Sequence, residues 1–199
     1  MNRLPAGVNQ SLALIKNVPV PAVFKTENMP ALVKNLFLGQ IAFYGFYNMI
    51  SGPSHMKLKR YFTVSPDSSL MSLATFHLCH TSALPLAVNL GMLATVGSYL
   101  AKTRGIGTFT SVFGMGCAAA SLAVAMDARS NPNQVQAGSL GASAALLTYT
   151  TFRNPAYFSL IRLSPLTLVT GALAYGLYSD DKAVIGGIAA GYAAFMLAL

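Results

Sequence analysis

Apolar runs of about bilayer-spanning length follow one another along this chain with no long polar break, which narrows its possible folds more than any motif does. In hydrocarbon every backbone N–H and C=O must be satisfied within its own segment, so such a chain resolves into helices packed on helices. The candidate spans are 32–51, a stretch over 69–101, 107–127, 157–178 and 182–199. The second stretch is too long for one perpendicular crossing and divides into a lead-in and a helix from about His80. A further run at 140–152 is too short to cross alone and must start below the membrane surface, where protein or water meets its free backbone groups. The expectation is an all-α, polytopic six-helix bundle over 31–199, with a short fourth helix and an extramembrane tail at 1–30.

Charge supports that reading. Charged residues make up 9% of the chain and hydrophobic ones 54%, whereas a soluble domain carries about a quarter charged residues. Lys and Arg number 13 against 5 Asp and Glu, a balance that in a soluble protein would raise nucleic acid as a partner. Here the cations gather in the tail and loops, as at Lys57, Lys59 and Arg60. There they meet anionic headgroups and bias topology, so membrane lipids are expected as partners and nucleic acid is not. Lys102 and Arg104 make a second loop basic, which leaves the orientation open. The tail holds Arg3, Lys16 and Lys25, one acid, Glu27, and prolines at 5, 19, 21 and 30. It resembles a mitochondrial address, although the prolines confine any amphipathic helix to about Ser11–Asn17. Such a segment does not order itself cheaply and is expected to be held by a partner. Cys79 and Cys117 read as free thiols in apolar helices, and His77 and His80 lack the acidic neighbours a metal site would need. No metal or cofactor is expected.

Three short patterns carry chemistry. His80, Pro85 and Asn89 belong to the second helix, and Ser139-Leu140-Gly141-Ala142-Ser143-Ala144 opens the short fourth. Ala183-Val184-Ile185-Gly186-Gly187, then Gly191, belong to the last. In this order they resemble the rhomboid family of intramembrane serine proteases. Rhomboids carry His-x4-His-x3-Asn on the second helix, Gly-x-Ser-Gly on the fourth and Ala-His-x-Gly-Gly-x3-Gly on the last. Tyr61-Phe62-Thr63 with Pro66, Ala74-Thr75-Phe76 and the serine segment most resemble the mitochondrial, presenilin-associated type. The resemblance covers about 60–199 and implies a serine on the fourth helix activated by a last-helix histidine, with an oxyanion site from the second helix.

The departures from that pattern fall on the catalytic groups. Val184 stands at the histidine position and cannot accept a proton, and no histidine follows residue 80. Pro85 replaces the second-helix histidine and supplies neither a side-chain donor nor an N–H, leaving Asn89 and backbone groups. Ala144 adds a methyl beside the serine. Losing one oxyanion donor costs about 2.7–4 kcal/mol of barrier, and losing the base costs more. The resemblance therefore implies a pseudoprotease, with His80, Pro85, Asn89, Gly141, Ser143 and Val184 as vestigial positions and no catalytic residue.

Other roles are structural. Ser143 is expected to bond a carbonyl one turn back, and His80 to bond a loop carbonyl or cap the second helix. Asn89 should bridge helices, because an unbonded amide in a span is costly. Ala183, Gly186, Gly187 and Gly191 form a small-residue stripe for packing on the fourth helix. Tyr44, Phe46 and Tyr47 read as an interfacial belt, Arg162 as a snorkelling cation, and Asp180 and Asp181 beside Lys182 as a solvated turn.

The function expected is that of an accessory subunit of a mitochondrial inner-membrane assembly, a respiratory-chain complex or the ATP synthase, in contact with other subunits. Two alternatives remain open at this point. One is a module that binds transmembrane client helices or lipids. The other is an active intramembrane protease in which Ser143 is served by a base the sequence does not reveal.

Overall fold

A computed structural model describes residues 26–65, 69, 71–130, 137–155, 164–178 and 181–199. Arg162, Asp180, most of the tail and the loop 131–136 lie outside them. Among the described residues regular structure is helical, with no strand. The helices are α1 (Ala31–Met49), α2 (Pro53–Phe62), the short α3 (Ser72–Thr75), α4 (Ala83–Thr103), α5 (Ile106–Ser130), α6 (Leu140–Arg153), α7 (Pro165–Tyr178) and α8 (Lys182–Met196). A 3-10 turn, Phe76–Leu78, follows α3, and α4 contains a π-helical segment, Leu93–Gly97. Each of the six apolar stretches thus carries a helix. Two of the helices, Ala83–Thr103 and Ile106–Arg129, are long and apolar enough to cross a membrane.

Local chemistry places several boundaries away from those expected. The segment after Gly52 is a helix rather than a loop. Gly52 sits at φ 68, a conformation open to glycine, and Pro53 occupies the first helical position, where its missing N–H is no loss. The basic cluster therefore lies on α2, with Lys57 and Arg60 exposed. Phe62 packs on Phe43 at 4.5 Å between ring centroids and His55 on Tyr47 at 4.8 Å. Tyr47 is consequently buried and only Phe46 of the aromatic trio is exposed, which corrects the belt reading. α4 begins at Ala83 because Ser82 is extended (φ −142, ψ 160). Pro85 falls in its first turn, where no intrahelical N–H bond is lost. Asp181 is not a solvated turn residue, since its carboxylate accepts from the Val184 amide at 3.3 Å and caps α8.

α6 is the centre of the bundle. Every residue from Gly141 to Thr151 is buried, so the helix has no face for solvent or lipid. Glycines allow α5, α6 and α8 to meet backbone to backbone. A Cβ at Gly116 would stand 2.6 Å from that of Ala145, and one at Gly186 would stand 2.7 Å from the Ala119 carbonyl oxygen. At Gly187 it would overlap the Gly141 carbonyl and at Gly191 the Ala145 carbonyl. These pairings make α8 parallel to α6. Gln40 meets Asn89 while Phe37 packs with Ala94, so α1 runs antiparallel to α4. The beginnings of α4, α6 and α8 therefore share one end of the bundle with α2 and the end of α7.

Candidate functional site

Ser143 sits in the first turn of α6, its amide donating to the Ser139 carbonyl at 3.1 Å. Its hydroxyl does not turn back to a carbonyl of its own helix, as expected from sequence, but donates to Oδ1 of Asn89 on α4. Asn89 Nδ2 donates to Oε1 of Gln40 on α1. Gln40 Nε2 completes the chain by donating to Ser139 Oγ at 3.0 Å. None of the four is more than 1% exposed. Each hydrogen points the same way along the chain, and both amides use their oxygen and their nitrogen. Three helices are pinned together by groups that would be costly to leave unpaired in a low-dielectric interior. Asn89 is thus a bridge between helices. Gln40 was not singled out from the sequence, although an amide in the middle of an apolar stretch is itself a signal.

This arrangement holds the Ser143 proton rather than removing it. An amide oxygen accepts a hydrogen bond without the basicity to take the proton, so it is not a general base. On its other side Ser143 faces a cavity of about 290 Å³ that Pro85 and Val184 also line. The structure thus brings Pro85, Ser143 and Val184 to one space, with Asn89 behind the serine. Gly141 lies against the α8 backbone at Ala183.

His80 is elsewhere. It is buried beneath Gly138, where a Cβ would stand 3.1 Å from Nδ1, and Gly138 has φ +113. Neither ring nitrogen has a partner among the described residues, and Ser82 holds the cap position of α4. The expected loop-carbonyl bond or helix cap is therefore corrected: the close glycine seals His80 inside, and burial lowers its pKa to about 4. His77 is also held neutral by burial, at about 4. Its Nε2 lies 2.9 Å from Ser121 Oγ, which is 2.7 Å from the Leu73 carbonyl oxygen and 2.8 Å from that of Cys117. The hydroxyl's one hydrogen goes to one of these carbonyls, which leaves its oxygen to accept from Nε2–H. The imidazole is a donor there, opposite to the role of a base. Among the described residues no group of three or more His, Cys, Asp or Glu stands close enough to hold a metal ion.

No family model and no curated protein matches this sequence.

Proposed function

We propose that this chain is a catalytically inactive, rhomboid-like, six-helix membrane protein that serves as an accessory subunit of a mitochondrial inner-membrane complex, a respiratory-chain complex or the ATP synthase. The fold reading is supported by the six apolar stretches that carry helices and by the meeting of Pro85, Ser143 and Val184 at one cavity. Inactivity is carried by one observation: the Ser143 hydroxyl donates into a buried amide chain while an aliphatic side chain stands across the cavity. A serine nucleophile requires a group that takes its proton as the oxygen attacks, and neither neighbour does so. The mitochondrial location and the host assembly rest on the resemblance to the presenilin-associated type, and on a basic, acid-poor tail.

Two measurements test this. A serine-directed fluorophosphonate probe should leave Ser143 unlabelled at a concentration that labels an active rhomboid. Labelling that disappears in Ser143→Ala would establish an enzyme instead. Purification in mild detergent should recover the chain at constant stoichiometry with a large complex, and recovery as a free monomer would remove the subunit reading.

A further inference from the structure

We propose that the cavity beside Ser143 binds one hydrocarbon chain of a membrane phospholipid. This rests on the membrane reading above and deepens it, because it assigns the vestigial site an occupant.

Helical spacing builds the walls. Leu84, Val88 and Met92 on α4 recur every fourth residue, and Leu140, Ser143, Ala144 and Leu147 on α6 follow the i, i+3, i+4, i+7 pattern of a single face. Pro85 of α4, Ala172 and Tyr175 of α7 and Val184 of α8 complete the lining. None of these residues is charged. The Ser143 hydroxyl on the floor has already committed its hydrogen to Asn89. Apart from that hydroxyl and the Tyr175 phenol, on a half-exposed residue, the lining is aliphatic and uncharged, so the cavity offers an entering ligand contact surface without a counter-charge, which selects hydrocarbon over a polar metabolite or ion. Water gains little there, because apolar cavities stay dry.

Size narrows the class. An engineered protein cavity of about 150 Å³ accepts benzene. A space of about 290 Å³ on the same scale takes about a dozen carbon atoms, much of one acyl chain. A transmembrane client helix is about 10–12 Å across and does not fit without parting the walls. Access runs from outside inward. Leu84 is 73% and Val88 49% exposed at the mouth, whereas Ser143 and Val184 on the floor are 1% and 3% exposed. The mouth opens beside α4, one of the two helices of membrane-crossing length and apolarity, so in a bilayer it faces acyl chains. It lies at the end of the bundle that also carries α2, where exposed Lys57 and Arg60 complement a phosphate headgroup.

The full chain, reconstituted in vesicles containing a phospholipid with a diazirine on its acyl chain, is irradiated and digested, and the labelled residues are mapped. Leu122 and Met126, outward-facing on α5, report contact with bulk lipid. Labelling should appear on α5 and also within Ser143–Leu147. The latter should fall several-fold in Ala172→Phe, which fills the space from the α7 wall, and in Ala144→Leu, which fills it from the α6 wall, with α5 labelling unchanged. Label on α5 with none at 143–147 in the wild-type chain overturns the proposal while leaving the membrane reading intact. Label at neither place removes the membrane reading and the inference with it. Label at 143–147 from a diazirine fatty acid, but not from the phospholipid, assigns the site to a different ligand and overturns the proposal as stated.

Discussion

Replacing Asn89 with leucine cuts the buried polar chain at its middle and keeps nearly the same volume. The Ser143 hydroxyl then loses its acceptor and Gln40 Oε1 its donor, in a region where the residues involved are at most 1% exposed. Two orphaned groups at about 1–3 kcal/mol each would give about 2–6 kcal/mol by the experience of soluble proteins. Interhelical hydrogen bonds in membranes average about 0.6 kcal/mol and reach about 1.7, because helices separated in lipid still find partners. The membrane scale applies to the proposed setting, so the expected loss is about 1–3 kcal/mol. Gln40→Leu alone should cost a similar amount. The double variant Gln40→Leu/Asn89→Leu should cost less than the sum of the two, since it removes both members of an orphaned pair. Reversible unfolding in mixed micelles, followed by circular dichroism, measures all four corners of this cycle. Additivity within about 0.3–0.5 kcal/mol would mean that the two amides are energetically independent and that the chain as described is wrong. Freeing the hydroxyl does not supply a base, so Asn89→Leu should remain unreactive toward the fluorophosphonate, and strong labelling of Ser143 in that variant would also refute the reasoning.

Gly187→Ala and Gly191→Ala each place a methyl into a carbonyl of α6 and should cost at least the about 1–3 kcal/mol typical of overpacking. Gly114→Ala, with nothing within 4 Å of the added carbon, should be neutral or stabilise by up to about 1 kcal/mol. Thermal melts that rank Gly114→Ala with the other two would contradict the packing. Asp181→Ala should cost about 0.5–2 kcal/mol through loss of the α8 cap, whereas Asp181→Asn keeps an acceptor and should cost much less. His77 and His80 lie outside α4, and burial lowers their pKa to about 4 from the ordinary 6.5. The unfolded chain therefore binds their protons first as pH falls, so stability is full above 6.5 and declines toward 4. A melting temperature that did not change between about pH 7 and pH 5, or a slope unaltered by His80→Leu, would count against that burial.

Much of this molecule was legible in its residues, and the boundary of legibility has a physical cause. The all-helical class follows from apolar runs that admit no other way to satisfy the backbone. The short fourth run at 140–152 had to be an internal helix, and α6 is buried from Gly141 to Thr151. The stripe at Gly186, Gly187 and Gly191 was readable as a close-packing surface because only a missing side chain allows backbones to touch. The lack of a proton acceptor at Val184 is a property of residue type, and no fold alters it.

Partnership between distant side chains was decided elsewhere. Asn89 reaches Gln40 across 49 positions and Ser143 across 54, and nothing in local spacing distinguishes those pairs from Ser143 bonding within its own helix. Which acceptor wins depends on how helices cross, and that is set by the contact of many glycines and alanines together. The same cause sealed His80 beneath Gly138, turned Tyr47 onto His55, and left a chain-sized space between α4 and α7. Sequence determined which groups exist and which are missing; only the packed bundle determined which of them meet, because hydrogen bonds and cavities belong to surfaces brought together rather than to segments.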